Sequence, residues 1–356
     1  MTIRLLSVED VRQSSPSITD IVKIIRRTYE EEGRGRVDVP LKIGVRPDRP
    51  GTFLDAMPAW VGDDEAGMAG LKWVSYYPGS AFMHAGKTDS SGLIVLNDPQ
   101  HGQPVCLMEG MLVTYLRTTI CAAVMAQVIQ TRGRDPISLG LVGCGGLGRW
   151  SLRVFGEVFP SLKHVKVASR SAVSRQAFCE EMAREGPWSL EPVDDVRDAV
   201  ADCDVVISSL PPVVSKPIEA QWLAPHAIYV PLDLTHAWQT DVWDKAGTVV
   251  ADSPAFLHKL LAAHRPDVSV DAHQVLAVQD LVAQDGSKLS GALRGPFFVA
   301  VCGIASTDIA LAWAVFRNAQ LKKLGGGFDM KASDVTLHSA LGGGYTNAGL
   351  RQGVKA

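Results

Sequence analysis

From Ile137 the chain reads Ile-Ser-Leu-Gly-Leu-Val-Gly-Cys-Gly-Gly-Leu-Gly148, an apolar run that enters the spacing Gly143-x-Gly145-x-x-Gly148. Glycines so placed can cradle the pyrophosphate of a dinucleotide. Gly143 permits a tight turn, Gly145 lets the backbone approach phosphate with no Cβ in the way, and Gly148 lets the next helix pack close to the strand. A helix opening at Gly146 and Leu147 would aim unpaired N–H groups and its positive dipole end at the anion. In a chain with 33 glycines the spacing alone is a weak signal. Its context strengthens it: a strand precedes it, and an amphipathic helix follows (Leu147, Ser151, Leu152, Phe155, Val158, Phe159). A second strand, His164 to Ser169, then ends about twenty residues past the last glycine.

The end of that second strand bears on the type of dinucleotide. An NAD site normally has a carboxylate there for the ribose 2′-hydroxyl, whereas a 2′-phosphate wants arginine and hydroxyl donors. Here the residues are Ser169, Arg170 and Ser171, with Arg175 four further on and no acid among them. NADP(H) is therefore favoured over NAD(H), although the same residues also fit a solvated turn and helix cap. The apolar strand Asp204 to Leu210 stops before Pro211, which puts Ser209 and Leu210 at the edge where further cofactor contacts are expected.

Bulk properties narrow the setting. With 356 residues, 46% of them hydrophobic, the chain can fill two ordinary domains. A net charge of -3 gives no electrostatic case for nucleic acid or an anionic membrane. The first 29 residues hold no signal peptide, no apolar run near membrane-spanning length is evident, and a cytoplasmic location is expected. Six scattered cysteines without a Cys-x-x-Cys pair imply reduced packing residues, with neither disulfide framework nor metal site.

Element order predicts two architectures. A capped helix start at Ser7 and an amphipathic helix from Ile18 to Glu31 lead into strands at Val37 to Arg46, Phe53 to Val61 and Met68 to Ser75. A hairpin of Ser91 to Asn97 with Pro104 to Met108 follows. After a long helix, Met111 to Gln130, strands and helices alternate, the pattern of a Rossmann-type doubly wound parallel sheet. A late apolar helix, Thr307 to Phe316, leaves this alternation and is expected to return to the first domain. The α/β chain thus divides into an α+β substrate-binding and dimerisation domain (1–118 with 305–356) and a dinucleotide-binding domain (119–304). The tail from Leu341 is expected to be loosely ordered.

With Gly70-Leu-Lys-Trp-Val-Ser75, Ile94-Val-Leu-Asn-Asp-Pro99, Leu116-Arg-Thr118 and the glycine loop in this order, the chain resembles the ornithine cyclodeaminase/μ-crystallin family. The resemblance implies a homodimer joined through the β-rich domain, with a small amino or imino acid bound in the interdomain cleft. It also implies hydride movement between a nicotinamide and the substrate α-carbon. On the residues alone, Lys72 reads as a strand lysine snorkelling to the surface, and Asp233, just past the strand Ala227 to Leu232, as a turn or capping residue. The resemblance implies instead that both are catalytic, Lys72 at the carboxylate and nitrogen and Asp233 at the amino group or an attacking water. It further implies Arg117 for the substrate carboxylate and Thr118 for the pyrophosphate. Asp308, with Ser306 and Thr307, reads as a cap of the last helix.

Two departures from the family pattern concern the substrate. Where many members have a carboxylate-binding arginine after a proline, this chain has Lys42, with Arg46 the nearest arginine. Asp55 stands where cyclodeaminases have a glutamate for the distal amine, and it reads equally as an amine-binding carboxylate or a turn residue. Val230 to Trp238 also lacks the glycine-rich run typical of cyclodeaminases. The balance favours imine reduction or amino-acid oxidation, with cyclodeamination and a non-catalytic, nucleotide-binding crystallin role as the alternatives.

Overall fold

A computed structural model describes residues 2–49, 51–63, 67–78, 89–130, 135–211, 217–233, 237–268, 270, 275–283 and 293–329. The tail from Leu341 and the residues Leu234 to His236 lie outside this set. The first sheet contains β1 (Thr2–Leu6), β2 (Val37–Asp38), β3 (Ile43–Val45), β4 (Phe53–Val61), β5 (Met68–Tyr76), β6 (Ser90–Asn97), β7 (Pro104–Glu109) and β16 (Gly326–Asp329). Their order is β16-β1-β7-β6-β5-β4-β2, with β3 also beside β4; only β1 and β7 run parallel. Strand alternation sends one row inward across four strands: Met57, Lys72, Ile94 and Met108 are adjacent in register and all buried. A lysine thus occupies an otherwise apolar row. The opposite face keeps Trp60, Trp73 and Leu93 exposed.

The second sheet contains β8 (Ser138–Val142), β9 (His164–Ala168), β10 (Ser189–Val193), β11 (Val205–Ser208), β12 (Ile228–Pro231), β13 (Thr248–Ala251), β14 (Val275–Ala277) and β15 (Phe297–Ala300). The order is β10-β9-β8-β11-β12-β15-β13-β14, and every pair is parallel. Strands are added outward from β8 in one direction, then from β11 in the other. That reversal opens a crevice at the carboxyl ends of β8 and β11, where doubly wound sheets take ligands.

Helix Met111–Gln130 joins the two sheets. It is apolar nearly all round, with residues such as Val113, Ile120, Val124 and Ile129 buried in one continuous core with Ile94 of the first sheet and Leu141 of the second. By length and composition it could cross a membrane, contrary to the expectation that no run approaches that size, yet 72% of its most apolar window is buried inside the protein. A second core covers the other face of the parallel sheet, where Phe298 stacks on Tyr229 and Trp243 at centroid separations of 5.3 and 5.4 Å.

The last described helix, Ala305–Leu321, is longer than expected and packs on β4, β5 and helix Ile18–Gly33. Trp313 Nε1 donates to the Ala69 carbonyl at 3.0 Å, which fixes the helix against β5. Close approach also fixes β8 against the short helix Val196–Val200. A Cβ on Gly140 would lie 1.9 Å from the Ala199 carbonyl oxygen. Gly140→Ala is expected to destabilise the protein by about 1–3 kcal/mol in chemical denaturation. An unchanged midpoint would show that this contact does not constrain the sheet.

Candidate active site

The glycine loop leaves β8 as the sequence predicts. Gly143 has φ +112°, a conformation that favours glycine, and its ideal Cβ would sit 2.8 Å from the Ser209 carbonyl oxygen. Gly148 packs so closely on Gly143 that a Cβ would meet its carbonyl oxygen at 2.4 Å. At Gly145 the Cβ direction is open, with nothing within 4 Å. Helix Gly146–Val158 begins there with no side chain capping its first turn. Backbone donors facing open space at the switch point fit a dinucleotide pyrophosphate. Arg149 braces the loop from behind, donating to the Cys144 carbonyl at 2.5 Å and to Glu181. Gly146, Leu147, Ser209 and Leu210 border the crevice from these two strand ends. Thr118 is partly exposed on helix Met111–Gln130.

At the end of β9, Ser171 caps helix Ala172–Met182 by accepting from Ser174 N, as its alternative reading as a cap had it. Arg175 is buried and committed to the protein, donating to the Ser169 carbonyl at 3.0 Å and pairing with Asp194. Arg170 is exposed.

A second group of residues lies where the two sheets meet. Lys72 on β5 is 1% exposed, and its Nζ donates to Asp308 Oδ2 at 2.7 Å. Arg117 Nε donates to Asp308 Oδ1 at 2.9 Å. Asp308 is fully buried in the first turn of helix Ala305–Leu321 and does not cap it, which corrects the capping expectation. Burial alone would raise its pKa, but Arg117 and Lys72 together hold it below the usual carboxylate range. Burial and the neighbouring Arg117 push the Lys72 ammonium down to about 7, against the opposing pull of Asp308. A lysine so placed can hold or release a proton near neutral pH.

Lys42 is half-buried close by. Its Nζ donates to the Cys302 carbonyl at 3.1 Å and lies 4.5 Å from the Phe256 ring centroid, and burial lowers its pKa. The same turn receives Asp252, just past β13, whose carboxylate accepts from Cys302 N at 2.8 Å and Gly303 N at 2.9 Å. Gly303, with φ +79°, adopts a conformation that favours glycine, and a Cβ there would lie tight against Arg117 Nη1 at 3.1 Å. Lys42, Arg117 and Asp252 thus converge on the turn at 302–303. Asp252 was not anticipated, although its place at the carboxyl edge of a parallel strand is the signal that marks Asp233.

Asp233 stands just past β12. It accepts from Ser208 Oγ at 3.0 Å and from Leu210 N at 2.9 Å, and Ser208 Oγ in turn accepts from Trp238 Nε1 at 2.7 Å. Loss of hydration pushes its pKa up to about 6, partly relieved by those donors. Asp55 is buried within β4, which corrects its reading as a turn residue. Its Oδ1 accepts from Arg46 Nη1 at 2.7 Å, so Arg46 and Asp55 serve each other.

The fold and these two clusters set a glycine-loop crevice on a parallel sheet, an arrangement suited to a dinucleotide, and buried cations held by a carboxylate where the sheets meet. The ornithine cyclodeaminase/mu-crystallin family model matches residues 2–228, and the chain belongs to this family. It is 28% identical to the nodulation efficiency protein NfeD of Rhizobium meliloti over 91% of this chain and 97% of that one. Identity to the alanine dehydrogenase of Archaeoglobus fulgidus is 26%, over 91% and 98% of the two chains. Among solved structures, the Δ1-pyrroline-2-carboxylate reductase of Thermococcus litoralis, in complex with NADH and L-proline, superposes with a TM-score of 0.77 at 21% identity, covering 91% of this chain and 99% of that one.

Removing the charge of Asp308 would leave Lys72 and Arg117 buried without their shared partner. Asp308→Asn is expected to lower unfolding free energy by about 3–5 kcal/mol, measured by denaturant titration. A loss below about 1 kcal/mol would show that the two cations find other partners.

Proposed function

We propose that the protein is a nicotinamide-dependent oxidoreductase that interconverts an α-imino and an α-amino acid. The observation that carries this reading is the buried Lys72–Asp308–Arg117 cluster, in which a lysine with a pKa near 7 lies beside a permanent cation. In the reducing direction a hydride adds to the α-carbon and a proton to nitrogen, and oxidation removes both. The bound nicotinamide supplies or accepts the hydride. Arg117 and Lys42 bind the substrate carboxylate, Lys42 as a point charge without a guanidinium fork. Lys72 holds the same carboxylate and exchanges a proton at the substrate nitrogen. Asp233, with a pKa near 6, orients that nitrogen and takes up or returns its proton. Burial around Lys72 and Asp308 excludes water and strengthens each of these attractions.

The glycine loop and Thr118 hold the pyrophosphate in this reading. The lack of a carboxylate among Ser169, Arg170 and Ser171 supports NADP(H), with exposed Arg170 meeting the 2′-phosphate while Arg175 holds the turn. The exposed Trp60, Trp73 and Leu93 on the outer face of the first sheet support a homodimer through that face.

Two measurements test the reading. A panel of amino acids and imino acids is expected to change nicotinamide absorbance stoichiometrically, and Lys72→Ala or Asp233→Asn to lower kcat/KM by about 100-fold or more. Ammonia release without net absorbance change would select cyclodeamination instead. Cofactor binding with turnover unaffected by both substitutions would leave a crystallin-like role. For the cofactor, fluorescence titration is expected to give tighter binding of NADPH than NADH, with Arg170→Ala weakening only NADPH, by about tenfold. Tighter NADH binding, indifferent to Arg170, would overturn the preference.

A further inference from the structure

Two tryptophans, Trp238 and Trp243, are fully buried in the second core with Tyr229 and Phe298, and their indole N–H groups fare differently. Among the described residues the Trp243 N–H has no hydrogen-bond partner, whereas Trp238 Nε1 donates to Ser208 Oγ at 2.7 Å. The aromatic cluster thus tolerates an unpaired indole, and packing alone does not call for the Trp238 bond.

Trp238 is pinned from several sides. Ile218 N donates to the Ala237 carbonyl at 2.9 Å, Gln239 N donates to the Ile218 carbonyl at 3.0 Å, and the buried Arg265 donates to the Trp238 carbonyl at 2.9 Å. Tyr229 and Phe298 meet the ring edge-on at 5.6 and 5.7 Å. The indole donor therefore stays aimed at Ser208, the last residue of β11.

The direction of the next bond follows. An indole N–H only donates, and a hydroxyl has a single hydrogen. With Trp238 on one lone pair of Ser208 Oγ, that hydrogen is left for Asp233 Oδ1 at 3.0 Å, while Leu210 N donates to Oδ2 at 2.9 Å. Both Asp233 oxygens accept, and each keeps a further lone pair for a ligand. These donors favour the carboxylate against the loss of hydration that raises its pKa. Among the described residues no charged side chain is paired with Asp233, and its other donors are backbone groups, Ala237 included.

We infer that Trp238 is a positioning residue that acts through Ser208 to hold Asp233 in one orientation as a hydrogen-bond acceptor for the substrate nitrogen. Without the indole, Ser208 is free to turn its hydrogen away and accept from a protonated Asp233, which stabilises the neutral acid. The inference rests on the oxidoreductase reading above for the role of Asp233.

The test follows the Asp233 carboxyl by 13C NMR across pH on the full chain with oxidised nicotinamide dinucleotide bound, its signal identified by its loss in Asp233→Asn. The pH profile of kcat/KM for amino acids is measured beside it. Trp238→Phe and Ser208→Ala are each expected to raise the Asp233 pKa from about 6 to about 7. Each should lower kcat/KM about fivefold at pH 6 and less than about twofold at pH 8. The double variant should match Ser208→Ala alone, because the indole then has no intermediary. Where Trp238→Phe does not fold, Ser208→Ala carries the test: it should raise the Asp233 pKa and move the Trp238 indole proton signal upfield. An Asp233 titration unmoved in Trp238→Phe, effects that add in the double variant, or an indole signal indifferent to Ser208→Ala would each overturn the inference. A pH profile that ignores the carboxyl shift would overturn it too, while turnover itself keeps the oxidoreductase reading standing. A carboxyl that shifts as expected in a protein with no nicotinamide turnover would overturn that reading and leave the hold of Trp238 on Asp233 in place.

Discussion

One carboxylate holds the centre of this molecule together. Asp308 receives Lys72 from a strand of the first sheet and Arg117 from the helix that joins the sheets, one on each oxygen. Taking three such charges out of water is expensive, and the attraction among them offsets that cost only while all three keep this geometry. The surrounding elements are held to match. Helix Ala305–Leu321 must reach back onto β4 and β5 to deliver Asp308, and the hydrogen bond from Trp313 to Ala69 sets it there. Helix Met111–Gln130 must be buried along its length to deliver Arg117, which explains an apolar composition that would otherwise suit a membrane.

A cluster with two cations and one anion at its heart has a purpose beyond packing. Hydrophobic residues of similar volume would fill the same space without the desolvation cost. Under the proposed function, the surplus of cations over the one carboxylate would offer a substrate carboxylate donors already held in place. Asp252 moderates this field from the second sheet. By accepting the Cys302 and Gly303 amides it also fixes the turn that Lys42 and Arg117 approach. The two sheets therefore share one electrostatic problem. The parallel sheet contributes a crevice lined with backbone donors and two edge aspartates, and the first sheet contributes the buried lysine.

Much of this architecture was legible in the chain because it rests on local rules. The glycine spacing, the alternation after residue 136 and the capped start at Ser7 each follow from short-range sterics and hydrogen bonding. The strands β1, β10, β14, β15 and β16 were not anticipated. They are short, and β10 (Ser-Leu-Glu-Pro-Val) carries a proline and little apolar alternation, which only an edge position tolerates. The charged site was partly legible. Lys72, Arg117 and Asp233 emerged through family words, whereas their partners did not, because ion pairing between residues 236 positions apart leaves no periodic trace. Asp308 looked like a cap because aspartate in a first helical turn usually is one. Asp55 read equally as an amine-binding carboxylate or a turn residue, because its pairing with Arg46 depends on the register of β3 beside β4.

The departure at Lys42 takes on meaning in this setting. A guanidinium at that position would present a planar fork with five donors and would need correspondingly more partners. Lysine instead ends in a compact ammonium that bonds one carbonyl oxygen, that of Cys302, and rests over the face of Phe256. The smaller head group leaves the adjoining cavity open between Met57, Phe256 and Glu32. Exchange of a fork for a point charge thus weakens one way of holding a carboxylate. It also leaves open the small cavity that Lys42 shares with Glu32, Met57 and Phe256.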